Sequence, residues 1–270
     1  MSRTTGLLAG RRLWRPSAAA VITAAVVGLG VLPVSATTNP FASGSKGFDV
    51  SYPNCTSPLP SGSFAIIGAT GGRPFTTDGC LSALWNSAAT STGNTPSLYF
   101  NTGYSGAYGR DISAVCSKGV GSAGVDWGSN LTPHQLKQER QAWEIGCSEA
   151  NYAANYAKGL GLATPTMWFA DVETGNSWSN NVTLNQFTID GLSWAMAKLD
   201  APHGWGIYSS AAMWSTITGS TSWSPTPNVA ANWATGHHAS CSSVFGTASH
   251  TPTWLFQGSA VGGVDTDTGC

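Results

Sequence analysis

The residues best suited to chemistry are Asp171 and Glu173. They close the run Met167-Trp168-Phe169-Ala170-Asp171-Val172-Glu173, which is otherwise aromatic and apolar. In a strand, alternate side chains share a face, so the two acids point the same way, roughly 7 Å apart at about 3.3 Å per residue. Two carboxylates in such a strand are costly to bury unless something pairs with them or uses them. Where their surroundings differ, one can keep its proton while the other is ionised, which divides proton donation from charge stabilisation. Two further acids end predicted strands, Asp49 and Asp265, and Asp267 shares a face with Asp265. By contrast, Glu139, Glu144, Glu149, Asp190 and Asp200 fall in helical or loop settings that call for no special role.

The elements that would carry these acids follow in order. Strands are expected at 47–51, 64–70, 98–102, 166–173, 204–209, 228–234, 253–257 and 264–267. Helices are expected at 79–89 with Asp78 as cap, from Thr132-Pro133 onward, in a second piece at about 148–160, from Thr183 to Leu199, and at 211–217. Residues 105–130 read as irregular. Several strands are apolar on both faces and separated by helices, which predicts parallel pairing with helices outside. The fold class expected is α/β, an irregular (β/α) TIM-type barrel stapled by disulfides, with an open doubly wound sheet as the alternative. In such a barrel the strands' C-terminal ends meet at one mouth, where active sites sit. The strand-end acids would then be companions.

Composition narrows the function. Arg3, Arg11, Arg12 and Arg15 precede the apolar run 18–32, and Val34-Ser35-Ala36 is a small-residue cleavage pattern. Together these predict a signal peptide over 1–36 with cleavage after Ala36, the alternative being an uncleaved anchor. A polar lead-in over 37–45 and one barrel domain over 46–270 follow. The chain has 12 basic and 13 acidic residues, and the leader holds four basic and no acidic ones, so the remainder carries 8 − 13 = −5. A nucleic-acid partner is therefore not expected, nor stable membrane insertion once the leader is removed. Cys55, Cys80, Cys116, Cys147, Cys241 and Cys270 suit an exported protein. Six cysteines allow fifteen pairings, and sequence does not choose among them. The sequential set is the expectation, Cys55–Cys80, Cys116–Cys147 and Cys241–Cys270. Their spacing does not suit zinc, and neither a metal nor any other cofactor is expected. The string Gly119 to Gly124 matches G-x-G-x-x-G but follows no strand and opens no helix, so it carries no dinucleotide prediction.

Exposed aromatics next to the acids would offer stacking surfaces for sugar rings: Trp178 just past Glu173, and Tyr104 and Trp127 in loops. Asn101, Tyr208 and Asn232 lie on predicted strands at or near that mouth, and with Asp267, Trp178 and Tyr104 they form the expected substrate-binding set.

These motifs, in order, resemble glycoside hydrolase family 25, the secreted lysozymes or muramidases. Gly47-Phe48-Asp49-Val50-Ser51 is similar to the family's opening strand, and Trp168 to Glu173 to its Asp-x-Glu strand. Gly206-Ile207-Tyr208-Ser209 with Trp214, Trp233-Ala234, and Trp254 to Gln257 with Gly263-Val264-Asp265 resemble its later segments. The six cysteines, the turn after Ser51 and Asp267 in place of an amide depart from its pattern, so the chain looks like a divergent, actinobacterial-style secreted relative. The resemblance implies a muramidase-like glycoside hydrolase that cleaves β-1,4 bonds between amino sugars of peptidoglycan or a related glycan. It implies Glu173 as general acid, with Asp171, Asp49 and Asp265 positioning substrate or water, or stabilising positive charge. A monomer is expected. The alternative is a non-catalytic barrel that binds glycan at the cell surface.

Overall fold

A computed structural model of the chain describes residues 38–246 and 251–270. The expected signal peptide lies outside the described residues. Eight strands close a barrel in sequence order: β1 Lys46–Val50, β2 Ala65–Gly68, β3 Ser97–Asn101, β4 Trp168–Asp171, β5 Trp205–Ser209, β6 Ala231–Ala234, β7 Thr253–Gln257 and β8 Asp265–Gly269. Neighbours from β1 to β7 are parallel, whereas β8 runs antiparallel to both β7 and β1. Three disulfides staple the barrel, joining consecutive cysteines as Cys55–Cys80, Cys116–Cys147 and Cys241–Cys270.

The reversal of β8 corrects an all-parallel reading. Residues 258–264 alone connect β7 to β8, and a parallel crossover needs a dozen residues or more. The connection instead turns tightly at Gly262 and Gly263, both with positive φ of 63° and 82°. A hairpin turn needs that conformation, and glycine adopts it without a steric penalty.

Among the described residues five α-helices pack outside: α1 Leu81–Thr92, α2 Ala114–Gly119, α3 Pro133–Gly159, α4 Val182–Met196 and α5 Ala211–Thr218. The segment read as irregular holds α2 and a 3-10 turn, Gly106–Asp111. Helix α3 is one helix of 27 residues, not two pieces. Gly146 does not break it, because the glycine is a packing contact. A Cβ there would lie 1.8 Å from the Thr188 carbonyl oxygen on α4, and one at Gly191 would lie 1.9 Å from that of Trp143 on α3. The two glycines let the helix backbones touch. Asn181, not Thr183, caps α4, with its Oδ1 accepting from the Thr183 amide. Asp78 stands outside α1 and accepts from the Cys80 amide. No helix among the described residues is long and apolar enough to cross a membrane.

Strand periodicity divides the core. Phe48, Val50, Ile67, Leu98, Phe100, Trp168, Ala170 and Ile207 face outward and pack against the helices. The lower barrel interior is a second apolar cluster of Phe64, Ile66, Met167, Phe169, Trp233 and Leu255. Phe41 closes it from below, against Phe64 and Phe169, at 3% exposure. The stretch read as a polar lead-in thus contributes a core residue. Above this floor the inward residues turn polar, and there the acids collect.

Candidate active site at the barrel mouth

Seven parallel strands bring their C-terminal ends to the mouth, and β8, because it is reversed, brings its beginning. Asp265 therefore opens its strand rather than ending it, yet it still pairs directly opposite Asp49 on β1. Asp171 ends β4 with Asn101 opposite on β3 and Tyr208 opposite on β5. Ladder bonding persists past the strand's end, with the Val172 amide donating to the Tyr208 carbonyl, 2.9 Å. Glu173 thus stays in register on the same side as Asp171, and the two carboxyls repel one another. Asp49, Asp171, Glu173 and Asp265 are brought together at one mouth.

Neutral donors organise the buried acids. Asn101 donates to Asp171 Oδ2, 2.5 Å, and its own Oδ1 is held by Thr70 Oγ1, 2.7 Å. Thr102 Oγ1 and Asn176 Nδ2 both donate to the Asp171 main-chain carbonyl. Asp171 Oδ1 has no hydrogen-bond partner. Gln257 Nε2 donates to Asp49 Oδ2, 3.0 Å, while its Oε1 accepts from Tyr208 and Thr235 hydroxyls, each 2.8 Å. The hydroxyls fix which end of the Gln257 amide meets the acid.

Among the described residues, no lysine or arginine pairs with any of these acids; the ion pair found is Arg110 with its neighbour Asp111. Burial without a counter-ion favours the neutral form of every one. Desolvation pushes Asp49 up to about 7, helped by the Asp265 charge and opposed by the Gln257 bond. Desolvation and then the Glu173 charge hold Asp171 well above the carboxylate range. Glu173 and Asp265, each half-buried, are also raised by desolvation. The mouth can therefore keep protons on carboxyls near neutral pH, beside others open enough to ionise.

The remaining expected residues divide. Tyr208 is in the network. Tyr104 is half-buried on the loop after β3, its amide bonded to the Ser177 carbonyl at 2.7 Å. Trp178 Nε1 donates to the Glu173 main-chain carbonyl, 2.9 Å, and its ring packs against the core, so it pins the turn that carries Glu173. Trp127 packs on Phe187 of α4 and under Arg140. Two members of the expected binding set are misplaced. Asn232 faces outward from β6, is fully buried and donates to the Phe245 carbonyl, so it anchors a loop rather than touching a ligand. Asp267 is fully buried in the barrel, one ladder step below Asp49, with Oδ1 accepting from Trp233 Nε1 at 2.8 Å.

Three residues were missed. Gln257 ends β7 at the mouth, and its place at a strand's C-terminal end was a usable signal. Tyr99, inward-facing and half-buried, lies close enough to Asp49 and Asp171 to feel both charges. Glu149, read as an ordinary helical acid, is a fully buried carboxyl on α3 that accepts from the Gly103 amide and holds the loop after β3. One other grouping of ligand-type atoms is Cys55, Asp78 and Cys80. Its sulfurs are in a disulfide, so no thiolate is there to bind a metal.

Fold and site together describe a disulfide-stapled β/α barrel with an acid-lined mouth. No protein-family model and no curated protein matches the sequence. Two solved structures are similar in shape. The muramidase from Trichobolus zukalii is 16% identical with a TM-score of 0.47, over 83% of this chain and 93% of that one. The catalytic domain of endolysin ply40 from bacteriophage P40 of Listeria monocytogenes is 15% identical with a TM-score of 0.43, over 85% and 94%.

Proposed function

We propose that the chain is a secreted glycosidase of cell-wall polysaccharide that hydrolyses β-1,4 bonds between amino sugars, with Glu173 as general acid. The observation that carries this reading is the pairing of half-buried Glu173 with buried Asp171 at a mouth where, among the described residues, no cation neutralises either. Glu173, neutral and accessible, gives its proton to the glycosidic oxygen as the bond to the anomeric carbon breaks. Positive charge then builds at that carbon, and half-buried Asp265, open enough to ionise, stabilises it, with Asp49 and Asp171 positioning substrate or water. Water adds to the anomeric carbon and loses a proton to a carboxylate, which restores the charge balance. Asn101 and Gln257 orient the acids, and Tyr104 borders the site as a sugar contact. Amino-sugar specificity and the muramidase class rest on the sequence resemblance. Export of a 46–270 domain rests on the leader pattern and suits the three disulfides.

The test is to incubate the mature protein and Glu173→Gln with peptidoglycan and with chitin and count new reducing ends. Loss of a general acid should lower the rate roughly 100-fold or more. Equal rates for the two proteins would remove Glu173 from the mechanism. Saturable glycan binding with no new ends from either would make the barrel a binding module.

A further inference from the structure

We propose that Asp267 is neutral at neutral pH and donates its carboxyl proton to Asp49, so that the two acids hold one negative charge between them. In this role Asp267 is a positioning residue: it aims Asp49 at the mouth and touches no ligand itself.

The geometry leaves little else. Asp267 is fully buried, and Trp233 Nε1 takes its Oδ1. No donor reaches its Oδ2. The residue directly across on β1 is Gly47, where a Cβ would run into the Phe64 ring at 2.4 Å. With no side chain opposite, the Asp267 carboxyl has Asp49, one step up the same ladder, as its acidic neighbour, and charge on Asp49 opposes charge on Asp267. Two carboxylates there would repel, with no cation between them among the described residues. One must carry the proton, and burial favours the neutral form for the deeper of the two. Gln257, across the other ladder from Asp267, donates to Asp49 and not to Asp267. Asp49 therefore has two donors for its charge, whereas Asp267 has only the indole.

The titratable groups facing the pair are Asp265 beside it on β8, Asp171 on β4, Tyr99 on β3 and Tyr208 on β5. None of them is a cation. Trp233 and Gln257, from β6 and β7, do not titrate. Among the described residues, nothing around the pair would stabilise a second negative charge.

The consequence for catalysis rests on the glycosidase reading, but the proton itself does not, so the test follows the proton. Carboxyl-labelled aspartate in the mature protein is titrated by carbon-13 NMR from pH 4 to 9, in wild type, Asp267→Asn and Asp267→Leu. The signal missing from both variants identifies Asp267, and in wild type that signal should remain neutral through pH 7. The amide of Asp267→Asn keeps an acceptor for the indole and still donates to Asp49, with no charge to repel. The Asp49 midpoint should then stay near 7, because one neutral donor replaces another. Leucine supplies no donor, so its Asp49 midpoint should rise above that of wild type by about one pH unit, as loss of a bond to the charged form requires. An ordinary aspartate titration for Asp267 in the wild type, which needs no variant to fold, overturns the proposal. So does a clear fall of the Asp49 midpoint in Asp267→Asn, which would show that the substitution removed a charge, or equal Asp49 midpoints in the two variants.

Discussion

Asp49 should make the protein lose stability as pH rises across the neutral range. Its carboxyl is raised from 3.8 to about 7 in the folded chain, so the folded state holds that proton more tightly than the unfolded one. The sign follows by linkage. The contribution is fully present below about pH 4 and is lost as pH climbs through 7. A shift of about 3 pH units corresponds to about 4 kcal/mol, against a total stability of about 5–15 kcal/mol for a native protein. Asp171, Asp267 and Glu149 are raised by burial in the same direction and add to the slope. The perturbation is Asp49→Asn, which cannot ionise and costs or gains a fixed amount at every pH. Urea unfolding of both proteins at several values from pH 4 to 8, disulfides intact, gives the comparison. The stability of the variant relative to wild type should grow by about 4 kcal/mol across that range. In a barrel of this size that corresponds to a melting-temperature gap widening by about 8–16 °C. A gap that stays flat, or widens in the opposite sense, would show that Asp49 is not desolvated as argued.

Two further substitutions test the frame and the network. Gly191→Ala would put a methyl 1.9 Å from a Trp143 backbone oxygen that cannot rotate away. After about 1 kcal/mol of gained helix propensity, a net loss of about 2 kcal/mol or more is expected by thermal unfolding. Gly159→Ala, with nothing within 4 Å, should unfold at or above the wild-type temperature. Asn101→Leu strips Asp171 of its side-chain donor and leaves both carboxylate oxygens unpartnered. It should cost about 2–3 kcal/mol in urea unfolding and lower glycan cleavage; a variant within about 0.5 kcal/mol of wild type would discount that bond.

Much of this architecture was legible in the chain because period-two patterning is a local property. Alternation in Phe48-Asp49-Val50 and Ala170-Asp171-Val172 is enough to put each acid on the face opposite its apolar neighbours, and counting such runs is enough to suggest a barrel. Helix ends were less legible. Asn181 and Thr183 are both good caps, and which amide each reaches depends on how the chain leaves β4. Gly146 looks like a helix breaker in isolation, and only the approach of α4 explains why the helix runs on through it.

By itself, then, the sequence determined the period of each strand, the acids at strand ends, the scarcity of cations to neutralise them, and an even set of cysteines. Tertiary structure decided which way β8 runs, and with it that Asp265 reaches the mouth by opening a strand while Asp267 sinks below Asp49. It turned Asn232 outward, buried Glu149 under the Gly103 loop and set Gln257 against Asp49. The physical reason is the same in each case. A side chain's face is set by its immediate neighbours in the chain, but its depth, its partner and its proton are set by whichever strand or helix lies across from it.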